Sequence, residues 1–204
     1  MSMNAVATSN DMQPPPVPMF YVVSLNKLVG LMLLTGNLYA FYWFYRNWSA
    51  YRQATGASVI PLLRSIVPVL FVYPLLSRVD RGFRDSGREY NWSPLVLSLG
   101  MWLVVVVGGV SCWLAPTPPG LALPSVAFWM QGLLEMVLYI GLNTWLFCLA
   151  QRAINVHEGD PKGQANSQIT AANWAWIALG VLLWVLYVAV VSVAVWSSFW
   201  WARM

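Results

Sequence analysis

The longest uncharged stretch of the chain constrains its fold more than any other feature. Tyr90 to Leu134 carry no formal charge over 45 positions, and they follow the arginine-rich segment Ser77 to Glu89. A spanning helix needs about 20 apolar residues, so this stretch holds one complete span and the beginning of another. Arginines that flank a span stay on the cytoplasmic side of the membrane. The pattern therefore predicts a membrane protein whose arginine-rich segment is cytoplasmic.

The composition agrees with a membrane protein. Hydrophobic residues make up 59% of the 204 positions and charged residues only 9%, against about 25% in ordinary soluble domains. The net charge is +4, and seven of the eleven Lys and Arg residues lie between Arg46 and Arg88, beside apolar segments. Anionic lipid headgroups, and not nucleic acid, are the expected partners of this charge.

Three spanning helices are predicted in the second half of the chain. Asn91-Trp92-Ser93-Pro94 is a helix start, with Ser93 as N-cap and Pro94 at the first helical position. Spans are predicted at 93–114, 126–151 and 171–199. The connector 115–125 has no Lys or Arg, whereas the loop 152–170 is charged. This asymmetry predicts a bacterial inner-membrane protein with a cytoplasmic N-terminus and a periplasmic C-terminus, with Arg203 as an exception.

Residues 20–79 are predicted to form an aromatic helical hairpin that re-enters the membrane or lies at its interface. The uncharged part of its first half, Leu28 to Tyr45, has 18 residues and contains the turn signal Thr35-Gly36-Asn37. Only 13 uncharged residues separate Arg64 from Arg78, and Pro68 and Pro74 interrupt them. The alternative makes both segments full spans, giving five transmembrane helices, but it would place Arg46 and Arg52 outside.

The chain is otherwise predicted to be one membrane domain, residues 19–204, preceded by a flexible proline-rich tail, residues 1–18. The tail ends in Pro-Pro-Pro-Val-Pro and carries one charge, Asp11. No cleaved signal peptide is expected, because the first basic residue is Lys27 and aromatic residues follow the apolar run.

Glu135 is the most informative single residue, because it is an ionisable group predicted near the middle of a spanning helix. Spacing by four places it on a polar stripe expected to face the bundle: Gln131, Glu135, Tyr139 and Asn143. The stripe has two interpretations. It is a pathway for a proton, an ion or a headgroup, or it joins helices, with Glu135 meeting a hydroxyl, an amide or Arg64.

Two further sets are candidates for binding. The arginines are predicted to face lipid headgroups, either as a phosphate pocket or simply as a marker of the cytoplasmic side: Arg46, Arg52, Arg64, Arg78, Arg81, Arg84 and Arg88. Aromatic residues of the hairpin are predicted to dock a partner at the interface: Tyr39, Tyr42, Trp43, Tyr45 and Trp48.

The sequence predicts no enzyme, no cofactor and no metal site. It contains no glycine-rich phosphate loop, no G-x-S-x-G and no H-E-x-x-H, and it has a single histidine. That histidine opens His157-Glu158-Gly159-Asp160-Pro161, which is typical of a turn. Cys112 and Cys148 are predicted at opposite ends of neighbouring helices, about 30 Å apart, so they cannot form a disulfide.

One section of the chain resembles a family of uncharacterised bacterial inner-membrane proteins. The shared pattern is V-S-x-x-K-L, a Thr/Gly turn, then Y-x-x-Y-W-F-Y-[KR]-N-W, which here runs from Val23 to Trp48. The similarity returns at Gln151, Arg152 and Asn155, and again at Asn166, Thr170, Asn173 and Trp174. The resemblance implies an all-helical membrane protein of unknown activity.

Three functions remain open at the level of the sequence. The first is a non-enzymatic subunit or accessory protein of a membrane complex or homo-oligomer. The second is a transporter, channel or lipid-handling protein that uses Glu135 and the arginine cluster. The third is an immunity-type protein against a membrane-acting toxin, which rests on size and class alone.

Overall fold

The computed structural model describes residues 17–114 and 126–201, and within these ranges every regular element is helical. The prediction of an all-α membrane protein is confirmed. The predictions for the proline-rich tail, the connector 115–125 and Arg203 fall, apart from residues 17 and 18, outside the described residues.

Three of the described helices are long and apolar enough to cross a membrane. They are α5 (Pro94–Leu114), α6 (Val126–His157) and α7 (Ala171–Trp201). Ser93 caps α5 as predicted, because its Oγ accepts a hydrogen bond from the Val96 amide at 3.3 Å. The described helices of residues 20–79 do not reach this length and hydropathy, which argues against five spans.

The hairpin region contains four helices, and the turn predicted inside its first half is present. The helices are α1 (Leu25–Leu34), α2 (Tyr39–Thr55), α3 (Pro61–Ile66) and α4 (Pro68–Asp85). Gly36 and Asn37 adopt φ of 57° and 70° between α1 and α2. Gly and Asn are the residues that tolerate this left-handed backbone, so the chain reverses here.

A break at Val67 separates α3 from α4. Val67 has φ of −117° and ψ of 62°, outside the helical region, and Pro68 occupies the first position of α4. A residue before proline is pushed away from helical angles, which explains the break. Pro74 lies inside α4 without ending it.

The sixth helix is longer than predicted, because it continues from Gln151 to His157. The prediction of a loop from Arg152 onward is therefore wrong for this stretch. Gln151 and Asn155 are fully buried, and both side chains are hydrogen-bonded within the protein. Their polarity reflects internal partners and not exposure to solvent.

The core lies at the end of the bundle that carries the arginines. An extended segment, 19–24, lies between α2 and α6, and its main chain is held by side chains of both helices. Gln151 Nε2 donates to the Tyr21 carbonyl at 2.9 Å, and Asn155 Nδ2 donates to the Val23 carbonyl at 2.9 Å. Glu158 accepts hydrogen bonds from the Met19 and Phe20 amides. The segment thereby covers one face of α2.

Candidate functional site

Two arginines converge on one buried tryptophan at the arginine-bearing end. The Arg64 guanidinium carbon lies 4.1 Å from the Trp48 ring centroid, and that of Arg78 lies 5.2 Å from the same ring. Arg64 also faces Phe71 at 5.1 Å, and Arg78 faces Tyr51 at 5.2 Å. These five residues are called the Trp48 site below.

The local sequence explains this convergence. Trp48 and Tyr51 are three residues apart on α2, so they share one face of that helix. Pro61 begins α3 and Pro68 begins α4, so the short α3 is set off from α4 by the break at Val67. Arg64 in α3 and Arg78 in α4 therefore reach the same ring from two different helices.

The Trp48 site holds two positive charges and unpaired hydrogen-bond donors. In the described ranges the recorded ion pairs are Arg84 with Asp80, and His157 with Glu158, so neither involves this site. Arg64 Nη1 and Trp48 Nε1 are buried and have no hydrogen-bond acceptor. Buried donors without acceptors are unfavourable, so the site is suited to an anion that supplies oxygen atoms.

The electrostatics of the Trp48 site also favour an anion. Burial lowers the pKa of the Arg64 guanidinium, and the positive charge of Arg78 lowers it further. Both effects oppose the charged form, and a bound anion would offset both. Arg78 Nη1 donates to the Pro74 carbonyl at 2.7 Å, which fixes the position of its guanidinium.

The other predicted arginines do not join this site. Arg46 lies 4.8 Å from the Tyr21 ring, and Arg84 pairs with Asp80 at 2.9 Å. Arg88 donates to the Val156 and His157 carbonyls at the end of α6, where a cation is favourable. Arg52 and Arg81 are exposed. The predicted set of seven therefore reduces to one converging pair.

The aromatic residues predicted to dock a partner are mostly part of the core. Tyr39, Trp43 and Trp48 are fully buried in their own chain, so they offer no free surface and the docking prediction is wrong for them. The extended segment 19–24 and α6 cover this face of α2. Tyr42 is half-buried, and only Tyr45 is exposed.

The predicted polar stripe divides into two halves. Asn143 is buried and Tyr139 half-buried, whereas Gln131 and Glu135 are exposed and hydrogen-bonded to each other at 2.9 Å. Gly108 of α5 contacts the Tyr139 ring, so Glu135, one turn farther along α6, lies at the level of Ser111. Glu135 therefore lies near the end of α5 and not at mid-bundle, and its partner is an amide of its own helix, not Arg64.

Several residues that carry the family resemblance form the buried polar network. Trp43 Nε1 donates to Gln151 Oε1 at 2.5 Å, and Asn47 Oδ1 accepts from the Tyr21 amide at 3.2 Å. Lys27 Nζ donates to Asn166 Oδ1 at 2.6 Å and to the Gln168 carbonyl at 2.7 Å. These contacts join the stretch 21–47 to the stretch 151–168, so these side chains stabilise the fold.

A lateral cleft of about 400 Å³ was not foreseen from the sequence. It opens between α2, the α3–α4 break, α5 and α6. Apolar residues line most of it, including Phe44, Val72, Met101 and Phe147. Its polar lining residues include Asn37 and Asn143. No local pattern predicts such a cleft, because its walls come from four separate segments.

Comparison of the chain with protein families, with curated proteins and with solved structures finds no match. The resemblance to uncharacterised inner-membrane proteins therefore stays a prediction.

Proposed function

We propose that this chain is a lipid-handling protein of the bacterial inner membrane that binds the phosphate of an anionic lipid at the Trp48 site. One observation carries the proposal: Arg64 and Arg78 share the Trp48 ring while Arg64 Nη1 and Trp48 Nε1 have no acceptor. A phosphate supplies negative charge and several acceptor oxygens at once. A phosphate would therefore both offset the positive charge and accept hydrogen bonds from the unpaired donors.

The surroundings of the Trp48 site support a lipid as the source of the phosphate. Apolar side chains of α3 and of the start of α4 are exposed beside Arg64: Leu62, Leu63, Ile66, Val69 and Leu70. An amphipathic segment with basic residues and exposed apolar side chains lies in the headgroup region of a bilayer. A soluble phosphate compound would gain nothing from these apolar neighbours.

The orientation in the membrane belongs to the same proposal. The Trp48 site lies at the end of the bundle that carries most of the basic residues, and such ends face the cytoplasm. The N-terminus is then cytoplasmic and the C-terminus periplasmic. The ligand is expected to come from the cytoplasmic leaflet, where anionic lipids attract basic segments.

Native mass spectrometry after gentle extraction tests this proposal. The wild-type protein is expected to retain phosphatidylglycerol in preference to phosphatidylcholine when both are offered in equal amounts. The double variant Arg64→Gln/Arg78→Gln is expected to lose most of this preference, because a neutral amide cannot pair with the phosphate. Arg81→Gln, an exposed arginine of the same helix as Arg78, is the matched control and should retain the lipid.

Equal retention of phosphatidylglycerol by the double variant and by the wild type would rule out the Trp48 site. Thermal unfolding of both variants shows whether lost binding comes from lost folding. A wild-type protein that binds both lipids equally would contradict the lipid-handling proposal itself.

A subunit or accessory role is the second candidate, and α7 favours it. This helix contacts α1 and α6, and in its first half Gly180 lies against Leu34 and Trp184 Nε1 donates to the Leu33 carbonyl at 3.4 Å. Farther on, Val185, Val190 and Val193 are exposed. Another membrane protein or a second copy would cover this surface. Isolation as a monomer without associated protein, in several mild detergents, would contradict this role.

A further inference from the structure

The lateral cleft between α2, α4, α5 and α6 contains a buried polar group that the proposed phosphate site does not explain. Asn143 lines the cleft and is only 6% exposed. Its side-chain amide forms no hydrogen bond with any residue that the structure describes. A polar amide that lines an apolar cleft without a hydrogen-bond partner is unfavourable. The cleft therefore lacks a group that this amide can bind.

Asn37, a second asparagine of the cleft, has hydrogen-bond partners, so the missing partner is specific to Asn143. Asn37 also lines the cleft, but its Nδ2 donates to the Ile140 carbonyl at 3.3 Å and its Oδ1 accepts from Thr144 at 3.0 Å. Asn37 thus fixes the α1–α2 turn against α6. Asn143, one turn from Ile140 on the same helix, remains available to a ligand.

The walls of the cleft are flat, aromatic and held in place. Phe41, Phe44, Trp102 and Phe147 all line it. Trp102 Nε1 donates to the Val69 carbonyl at 2.7 Å, which attaches α5 to the α3–α4 break. The rim is apolar and exposed, and includes Val67 and Val105. Trp102 and Val105 line the cleft near the middle of the apolar span of α5, so its opening is expected to face hydrocarbon and its ligand to arrive from the bilayer.

The depth of Asn143 limits the chemistry of the ligand. Trp43 donates a hydrogen bond to Gln151, and Phe44 packs on Phe147. Helix α2 therefore runs alongside α6 toward the arginine-bearing end. Asn143 lies eight residues from Gln151, or about 12 Å along the helix axis. A phospholipid headgroup at the Trp48 site would place only hydrocarbon at this depth. Hydrocarbon cannot satisfy an amide.

We propose that the lateral cleft binds a lipophilic quinone, with a ring carbonyl accepting a hydrogen bond from Asn143 Nδ2. A prenylated quinone combines a flat apolar ring, a carbonyl oxygen and an apolar tail, and it resides within the hydrocarbon region. The aromatic walls contact the ring, and the open rim allows the tail to leave toward the lipid. Pockets for small ligands combine an apolar lining with a few polar groups in the same way.

The test uses a benzoquinone with a decyl tail as the probe and the full-length protein in detergent. Quinone binding is measured as saturable quenching of tryptophan fluorescence, to which Trp102 of the cleft contributes. Asn143→Leu is expected to weaken quinone binding about tenfold, the loss typical of one hydrogen bond to a ligand. Asn91→Leu, the same substitution at an exposed position outside the cleft, is the matched control and should bind as the wild type does.

Two further measurements separate the hydrogen bond from mere occupancy of the cleft. Decylbenzene has the same tail and no carbonyl. It should therefore bind to Asn143→Leu as tightly as to the wild type when it competes with the quinone. Val105→Phe narrows the opening and should abolish binding of both probes. Asn143→Leu removes an unpaired amide, so it should unfold at a temperature no lower than that of the wild type.

Equal quinone affinity in Asn143→Leu and the wild type would overturn the proposal. So would a decylbenzene affinity equal to that of the quinone in the wild type, because the cleft would then be a hydrocarbon groove. Neither outcome bears on phosphatidylglycerol retention at Arg64 and Arg78, so the two proposals fail independently.

Discussion

Gln151 shows how one buried amide joins three parts of the chain. It accepts from Trp43 Nε1 at 2.5 Å and donates to the Tyr21 carbonyl and to Asn155 Oδ1. Replacement by Leu would leave the Trp43 donor and the Tyr21 acceptor buried and unpaired. We expect Gln151→Leu to destabilise the fold by about 2 to 6 kcal/mol, from two such groups at about 1 to 3 kcal/mol each.

Thermal unfolding of the purified protein in one detergent measures this effect of Gln151→Leu. Gln131→Leu is the matched control, since it makes the same change on the same helix at an exposed position and should leave the transition within experimental error. Equal unfolding temperatures for the two variants would contradict the structural role of Gln151.

Asp160 makes one loop sensitive to pH. The Ala165 amide donates to Asp160 Oδ2 at 2.8 Å, and this bond, together with the amides of Gln164, Gly163 and Lys162, lowers the pKa of the carboxyl. Because the folded pKa is below the unfolded value, the stabilisation is complete above about pH 4 and is lost as the pH falls through the folded pKa.

Hydrogen exchange of residues 159–166 measures this pH dependence. Over a range that starts at about pH 5, wild-type protection should stay full down to about pH 4 and fall below it, after correction for the intrinsic exchange rate. Asp160→Asn should show low protection at both ends of that range, whereas Asp85→Asn, an exposed aspartate at the end of α4, should behave as the wild type. A pH-independent difference between wild type and Asp160→Asn would refute the mechanism.

At the scale of elements, α7 approaches α1 closely only because residue 180 is glycine. A Cβ at Gly180 would overlap the Leu34 carbonyl, which is main chain and cannot move aside. Gly180→Ala should therefore separate the two helices and cost about 1 to 3 kcal/mol. Gly141→Ala is the control, because a Cβ there meets open space. Thermal unfolding of the two variants gives the comparison, and equal stability would contradict the close approach.

The elements that local residues determine were predictable, and those that depend on distant partners were not. Gly36 and Asn37 predicted the α1–α2 turn because the backbone preference is their own. Ser93 and Pro94 predicted the start of α5 for the same reason. The end of α6 was missed because Gln151 is polar, and only the distant Trp43 and Tyr21 show that it is buried.

The candidate site was predictable only in its composition. The sequence indicated an arginine cluster for phosphate, but Arg64 and Arg78 are selected from seven arginines by the α3–α4 break and by Trp48 on another helix. The aromatic residues of α2 were expected at the membrane interface, but Tyr39, Trp43 and Trp48 are buried within the chain and only Tyr45 is exposed. Asn143 was placed on a polar stripe, but its unpaired state depends on the cleft.

The whole molecule has three helices able to span a membrane, and we propose that the hairpin lies at, or re-enters, the membrane from the arginine-bearing side. Residue 54, at the end of α2, is then on the same side as residue 87, at the end of α4. In a background with Cys112 and Cys148 replaced by Ala, we expect Ala54→Cys and Gly87→Cys to react with a membrane-impermeant thiol reagent only after the membrane is opened. Pro119→Cys, in the connector between α5 and α6, should react in intact cells. Labelling of Ala54→Cys in intact cells would require α1 and α2 to cross the membrane, and protection of Pro119→Cys would reverse the orientation of all three spans.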